Sequence, residues 1–385
     1  MNTLLQELVN DQKQITGWRH HMHRYPELAF EERHTAEYIA GLLHSWGYEV
    51  ATGIGKTGIV ASLTAGDGTK AVGLRADIDA LPVNEQAAGD HSSTVPGRSH
   101  TCGHDGHSAM LLGAAQHLAR TRNFNGTVRL IFQPAEEVMG GALAMIEDGL
   151  FERFPIDAVF GMHNMPGLEL GKIYFTTGPV MAAVDNWEIE LTGKGSHGSM
   201  PERSIDPVVA GASLVMALQT ITSRNVAPLD SAVVSVGAFL AGDAGNVIPQ
   251  SALLRLSIRS SRPETRALVL GKVRSITAAQ ADCYGVSWQI REGTPGAVLV
   301  NDAAQTAFAA TVAKDLLGAD KVVTDGPRFM GSEDFAFFAQ RKPGTYCFIG
   351  NGDTPMVHHP QYDFDDRNLP VGAAYWVALA ESFLS

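Results

Sequence analysis

Short apolar runs alternate with helical periodicity through the first half of the chain, and this alternation limits the possible folds more than any other feature. KAVGLRADIDALP reads as a buried strand ending near Asp77. TVRLIFQPAEE reads as a second, closed by Pro134, and DAVFGMHN as a third. Between them, DGHSAMLLGAAQHLART and GGALAMIEDGL repeat apolar residues at helical spacing. LLQELVNDQKQITGWRHHMH and ELAFEERHTAEYIAGLLHSWG do the same on either side of Pro26. Strands alternating with helices predict an α/β fold whose sheet is largely parallel, with right-handed crossovers.

Near residue 185 the character changes. DNWEIELTG alternates like a half-buried strand, and the helix DPVVAGASLVMALQTITSR follows. Then come the strands SAVVSVGAFL and ALLRLSIRSS, the helix ETRALVLGKVRSITAAQADCYG and the strand SWQIREG. Strand–helix–strand–strand–helix–strand is the order of a ferredoxin-like α+β unit. After Pro295 the pattern returns to helix and loop and ends in the amphipathic segment VGAAYWVALAESFL. The expected architecture is one α/β domain, residues 1–184 and 296–385, interrupted by a smaller α+β domain, residues 185–295.

Polar residues gather where this map ends its strands. Asp77 and Asp79 follow one strand, Glu136 and Glu137 the next, and His163 a third. SHTCGHDGH, residues 99–107, precedes a helix, and His358 and His359 stand in a late loop. Carboxyl ends of parallel strands form one rim, where ligands bind, so residues far apart in sequence converge there. Alone, His163 reads as a satisfied semi-buried histidine and Cys102 as a small buried hydrophobe. Cys102 and His104 flank Gly103, however, whose backbone freedom lets a thiolate and an imidazole face one ion. The helix start that follows favours the thiolate. His100 and His107 have weaker claims. Sulfur, nitrogen and carboxylate donors together suit a borderline transition ion (zinc, manganese, cobalt or nickel) and not Ca²⁺ or Mg²⁺. More than four candidate ligands point to two divalent ions sharing a water, and one of the adjacent glutamates can ligate while its neighbour acts as a base.

Composition narrows the partners. With 29 Lys and Arg against 41 Asp and Glu, the net charge is −12, which argues against nucleic acid or an anionic membrane. The amino terminus does not read as a secretion signal, and no run approaches the roughly 18 apolar residues of a membrane span. Three widely spaced cysteines do not form a disulfide framework, so a cytoplasmic location is expected.

RADIDALP, TCGHDGH, FQPAEE, GMHNMP, GKGSHGSMP, GNVIP, MGSEDFAFF and HHPQYDFDD stand in this order between about residues 75 and 366. In them the chain resembles the aminoacylase, hippurate hydrolase and indole-acetyl-amino-acid hydrolase family, a branch of the dinuclear metallopeptidases related to carboxypeptidase G. The resemblance implies a zinc-peptidase-like catalytic domain with an inserted lid through which two copies dimerise. It implies Cys102, His104, Glu137, His163 and His358 as metal ligands, Glu136 as general base and Asp79 as the carboxylate that orients a ligand. His197, from this subunit or its partner, would polarise the substrate carbonyl, and Asn246 and Arg259 would hold the substrate's polar end. Where members commonly carry methionine and alanine, this chain has Ser99 and Thr101, and Glu202 replaces a frequent histidine.

The implied reaction is hydrolysis of an amide joining an acyl group to an amino acid nitrogen, the substrate being a small N-acyl amino acid. A dipeptidase or aminopeptidase is the alternative with the same chemistry. A metal-dependent binding protein is the alternative without it, against which a spare glutamate beside a ligand speaks, because binding alone needs no base.

Overall fold

The structure, a computed structural model, describes residues 3–87 and 89–385. The chain divides into two compact units. One comprises Met1–Gly178, Val300–Arg328 and Asp334–Ser385, the other Pro179–Leu299 and Phe329–Glu333.

The first unit is built on an eight-stranded sheet. Its order is Glu49–Ile54, Gly58–Ala65, Gly126–Gln133, Ala71–Asp77, Ala158–Met165, Gly344–Gly350, Ile173–Tyr174 and Val322–Val323. The strands Gly126–Gln133, Ala71–Asp77, Ala158–Met165 and Gly344–Gly350 run parallel to their neighbours within this set. Every residue of the last three is buried, the pattern of strands covered on both faces. The helices His104–Thr121, Ala303–Leu317 and Leu369–Phe383 share their apolar core.

The sheet is mixed where the sequence pattern suggests a largely parallel one. Glu49–Ile54 and Gly58–Ala65 form an antiparallel hairpin that adds to one side of the parallel set. Its turn uses Gly55 and Lys56 at positive φ, Gly53 takes positive φ where the strand pairing slips between Thr52 and Ile54, and the glycines and threonines of this stretch blur the strand signal. Gly344–Gly350 also pairs antiparallel with Ile173–Tyr174. Two expected helices change character. ELAFEERHTAEYIAGLLHSWG is helical only over Arg33–Ser45, because Glu27 accepts the N–H groups of His34 and Thr35 and so starts the helix late. Leu369–Phe383 is buried along most of its length and is not amphipathic.

The second unit carries a four-stranded sheet, ordered Ala232–Leu240, Ser251–Ser260, Ala183–Thr192 and Ser287–Glu292, with every neighbour antiparallel. With the helices Pro207–Arg224 and Pro263–Tyr284, this is the strand order of a ferredoxin-like unit. Trp187, Ile189 and Leu191 alternate into its core, and Asp206 caps the first helix by accepting the N–H groups of Val208 and Val209.

Candidate metal centre

The 99–107 loop is bent by Gly103, whose φ is 96°. A Cβ there would lie 2.3 Å from Asn164 Nδ2 and 2.5 Å from the Tyr362 hydroxyl, so no other residue fits. Asn164 Nδ2 donates to the Cys102 carbonyl at 2.7 Å, and the Tyr362 hydroxyl donates to Asn164 Oδ1 at 2.5 Å. This clamp sets Cys102 Sγ 3.4 Å from His163 Nε2. His163 Nδ1 faces the Asn164 carbonyl, which leaves Nε2 for the pocket.

Asp79 ties two further elements together. His104 Nδ1 lies 2.8 Å from the Asp79 carbonyl and 3.2 Å from its Oδ1, while Asp79 Oδ2 accepts the Glu137 N–H at 3.0 Å. The opposite ring nitrogen, His104 Nε2, is buried without a hydrogen-bond partner. It stands 3.7 Å from Asp77 Oδ2 and 3.9 Å from Glu137 Oε1. His358 reaches the same carboxylate, its Nε2 at 3.3 Å from Glu137 Oε1, from a loop where it takes φ 69°. Its N–H bonds to the Thr101 carbonyl at 2.7 Å.

These atoms form overlapping ligand sets. Cys102, His104 and His163 each offer a donor within 4.8 Å of the others, and so do Cys102, Glu137 and His358. His104, Glu136 and Glu137 form a third set. The electrostatics suit a cation among these donors. Burial, then Glu137, Glu136 and Asp77, push the Cys102 thiol well up from its ordinary value. Burial opposes a charged His104, yet Asp77, Asp79 and Glu137 outweigh it and raise the ring to about 10. A divalent ion among these donors would reverse both effects, taking the proton from sulfur and imidazole alike. The orphaned His104 nitrogen and the mixed donor set therefore suit a transition ion.

Of the neighbouring histidines, His107 and His359 are otherwise engaged. His107 Nδ1 bonds to Asp77 Oδ1 at 2.6 Å, and its Nε2 accepts the Asn164 N–H at 3.0 Å, so neither nitrogen is free to ligate. His100 is buried, and burial pushes it down to about 4. His359 is exposed, and its Nδ1 accepts the Gln361 N–H.

Several supporting residues escape the sequence reading. Arg75, inside the apolar strand, donates to Asp77 Oδ2 at 2.8 Å and to Gln133 Oε1 at 2.9 Å, and it lies 3.4 Å from Asp334. A charge in the middle of an otherwise apolar strand is the signal that marks it. Beneath the start of the helix His104–Thr121, buried Asp105 pairs with Arg19 at 3.3 Å and His23 at 2.8 Å. Only their three-dimensional meeting reveals this group. Burial opposes protonation of His23, but Asp105 and Glu85 raise it from 6.5 to about 9. The folded ring thus keeps its proton above the pH at which an unfolded one loses it. The stabilisation is complete below about pH 6.5, fades as pH rises through about 9, and amounts to about 3 kcal/mol. Denaturant unfolding of wild type and His23→Gln across this range is expected to show a gap that narrows toward high pH. A gap independent of pH would mean that the folded ring is neutral.

The remaining candidates belong to the second unit. His197 pairs with Val247 between two short strands, and its Nδ1 accepts from Ser199. The Asn246 carbonyl accepts the Gly198 N–H at 2.8 Å, which places these two residues side by side. Arg259 instead donates to the Met330 carbonyl at 2.7 Å and to Ser332 Oγ at 3.3 Å. Glu202 is exposed beside Arg203.

Comparison with known proteins gives one consistent picture. Residues 73–382 match the model of peptidase family M20/M25/M40. The chain is 44% identical over 381 residues to the hippurate hydrolase of Campylobacter jejuni, covering 99% of each. It is 37% identical to an N-acetyl-L-cysteine deacetylase of Bacillus subtilis, covering 95% of this chain and 87% of that protein. Among solved structures, the Bacillus subtilis YXEP protein, described as a dinuclear metal-binding peptidase from the M20 family, superimposes with a TM-score of 0.85. The two are 33% identical, and the match covers 97% of this chain and 98% of that one.

Proposed function

Because the chain belongs to peptidase family M20/M25/M40, we propose that it is a metal-dependent amidohydrolase that cleaves the amide bond of N-acyl amino acids. The observation that carries this reading is a buried thiol common to two ligand sets, one of which includes Glu137 and neither of which includes the adjacent Glu136.

In this reading Cys102, His104, Glu137, His163 and His358 hold two divalent ions, chosen from zinc, manganese, cobalt and nickel. Bound there, the ions supply Lewis acidity, which makes a water acidic near neutral pH and polarises a carbonyl. The chain does the rest. Asp79 orients His104 through Nδ1 and fixes Glu137 through its N–H. Glu136 takes the proton of the attacking water on its carboxylate and returns it to the departing amine nitrogen. His197, supplied by this subunit or its partner, is the proposed donor to the developing oxyanion, and Asn246 and Arg259 are proposed to recognise the polar end of the substrate. Acetyl, benzoyl and aryl-acyl groups are the acyl classes in view.

The protein acts in the cytoplasm as a homodimer. Two features of the second unit support a dimer. Ala232–Leu240 is an edge strand of its sheet, and Val233, Phe239 and Leu240 on it are exposed, as are Val209 and Met216 on the helix Pro207–Arg224. Among the described residues no helix is long and apolar enough to cross a membrane.

The reading is tested by a hydrolysis screen on metal-reconstituted protein with released amine as the readout. N-acetyl, N-benzoyl and indole-acetyl amino acids are expected to exceed unblocked dipeptides by about 100-fold in kcat/KM. Equal or faster cleavage of free dipeptides would replace this reading with a dipeptidase, and no turnover of any substrate with a metal-binding protein.

A further inference from the structure

The segment Glu27–Glu32 stays outside the helix that follows it, and one consequence is that Glu32 turns inward and is completely buried. One of its oxygens, Oε1, accepts the Ala135 N–H at 2.9 Å, and Oε2 accepts the Thr57 hydroxyl at 2.5 Å. Ala135 is itself buried and takes φ 51°, a backbone conformation that an alanine adopts only when its surroundings impose it. The residues after it are Glu136 and Glu137.

The turn closes tightly on itself. The Gly141 N–H returns to the Ala135 carbonyl at 3.1 Å, and a Cβ on Gly141 would sit 1.5 Å from the Pro134 oxygen. Three carboxylates hold its N–H groups from outside: Glu32 at Ala135, Asp79 at Glu137 and Asp334 at Ala142, the last at 2.9 Å. Asp79 thus secures the ligand, and Glu32 secures the residue that immediately precedes the base.

We propose that Glu32 is a positioning residue for Glu136, fixing the left-handed Ala135 backbone so that the base carboxylate keeps its aim. This rests on the reading of Glu136 as the base. Without the Glu32 oxygen, a buried N–H is left unpaired, and the turn relieves this by rotating Ala135 toward ordinary φ, which swings the Glu136 side chain. Glu137 keeps its own bond to Asp79, so the loss falls on kcat and not on metal content or KM. The role is geometric. Burial pushes Glu32 up to about 7, and acid and carboxylate alike retain an acceptor for Ala135 N–H, as does the amide of glutamine.

The test compares Glu32→Gln, Glu32→Asp and Thr57→Val with wild type in the metal-loaded full chain, reading kcat, KM, bound metal and unfolding temperature. Glu32→Gln is expected to stay within about threefold of wild-type kcat. Glu32→Asp, one methylene too short to reach both partners, is expected to lose about 10- to 100-fold in kcat with KM and metal unchanged. Thr57→Val, which frees one end of the carboxylate, is expected to lose a smaller factor and serves if the aspartate variant does not fold. Wild-type kcat in both Glu32→Asp and Thr57→Val would overturn the proposal. So would a Glu32→Asp loss that tracks lost metal or raised KM, or a Glu32→Gln variant as impaired as Glu32→Asp. Glu136→Gln in the same assay separates the two claims. If it retains turnover, the base assignment fails; if it is inactive while Glu32→Asp is normal, only the positioning role fails.

Discussion

Replacing Cys102 by alanine is expected to strip the protein of metal and therefore of turnover. Its sulfur belongs to both ligand sets that reach His163 and His358, so its loss weakens two sites together. Removing a group that merely orients a ligand costs about 10- to 100-fold in metal affinity, and removing a shared ligand exceeds that range. The thiol is pushed well up by burial and by Glu137, Glu136 and Asp77, so metal must displace a proton, and affinity rises with pH. The alanine variant loses the thiol's share of this pH dependence as well as the affinity, and keeps the share carried by His104. Elemental analysis after desalting at pH 7 and pH 8.5 reads both effects, with Cys283→Ala, an exposed cysteine, as the control. Full metal occupancy in Cys102→Ala would remove the thiolate from the site.

Glu136→Gln has the opposite signature. Glutamine preserves the shape of the side chain but accepts no proton, so about 10³- to 10⁴-fold of kcat is expected to vanish. Metal content is expected to remain at the wild-type value, because the proposed ligand is Glu137, held by Asp79 and facing His358. Substrate affinity is expected to change little, since the proton transfer is felt in the transition state. A variant that keeps wild-type kcat would exclude Glu136 as the base.

The rim was legible because its parts announce themselves locally. Asp77, Glu136 and His163 follow apolar runs, and Cys102 and His104 flank a glycine; the structure gathers Cys102, His104, Glu137, His163 and His358 into overlapping groups whose donor atoms lie within 4.8 Å of one another. The supporting layer was not legible in the same way. Arg19, His23 and Asp105 are ordinary helical or loop residues until three segments fold together. Glu32 looks like one more acid in a helical pattern, and only the late start of the helix at Arg33 turns it into the core. Pairing direction was also hidden. The apolar content of residues 344–350 and 58–65 is compatible with either sense, and turn geometry and neighbouring strands decide it. The ferredoxin-like unit was easier, since its strands alternate and its helices are long.

At the centre of the account is a division of labour between two adjacent glutamates, one holding metal and the other moving protons. Bound metal and turnover of Glu136→Gln and Glu137→Gln, measured side by side on identically loaded protein, test it most directly. Glu136→Gln protein is expected to be full of metal and inactive, and Glu137→Gln protein to be depleted of metal and inactive for that reason. Equal metal loss in the two variants, or turnover surviving in Glu136→Gln, would contradict it.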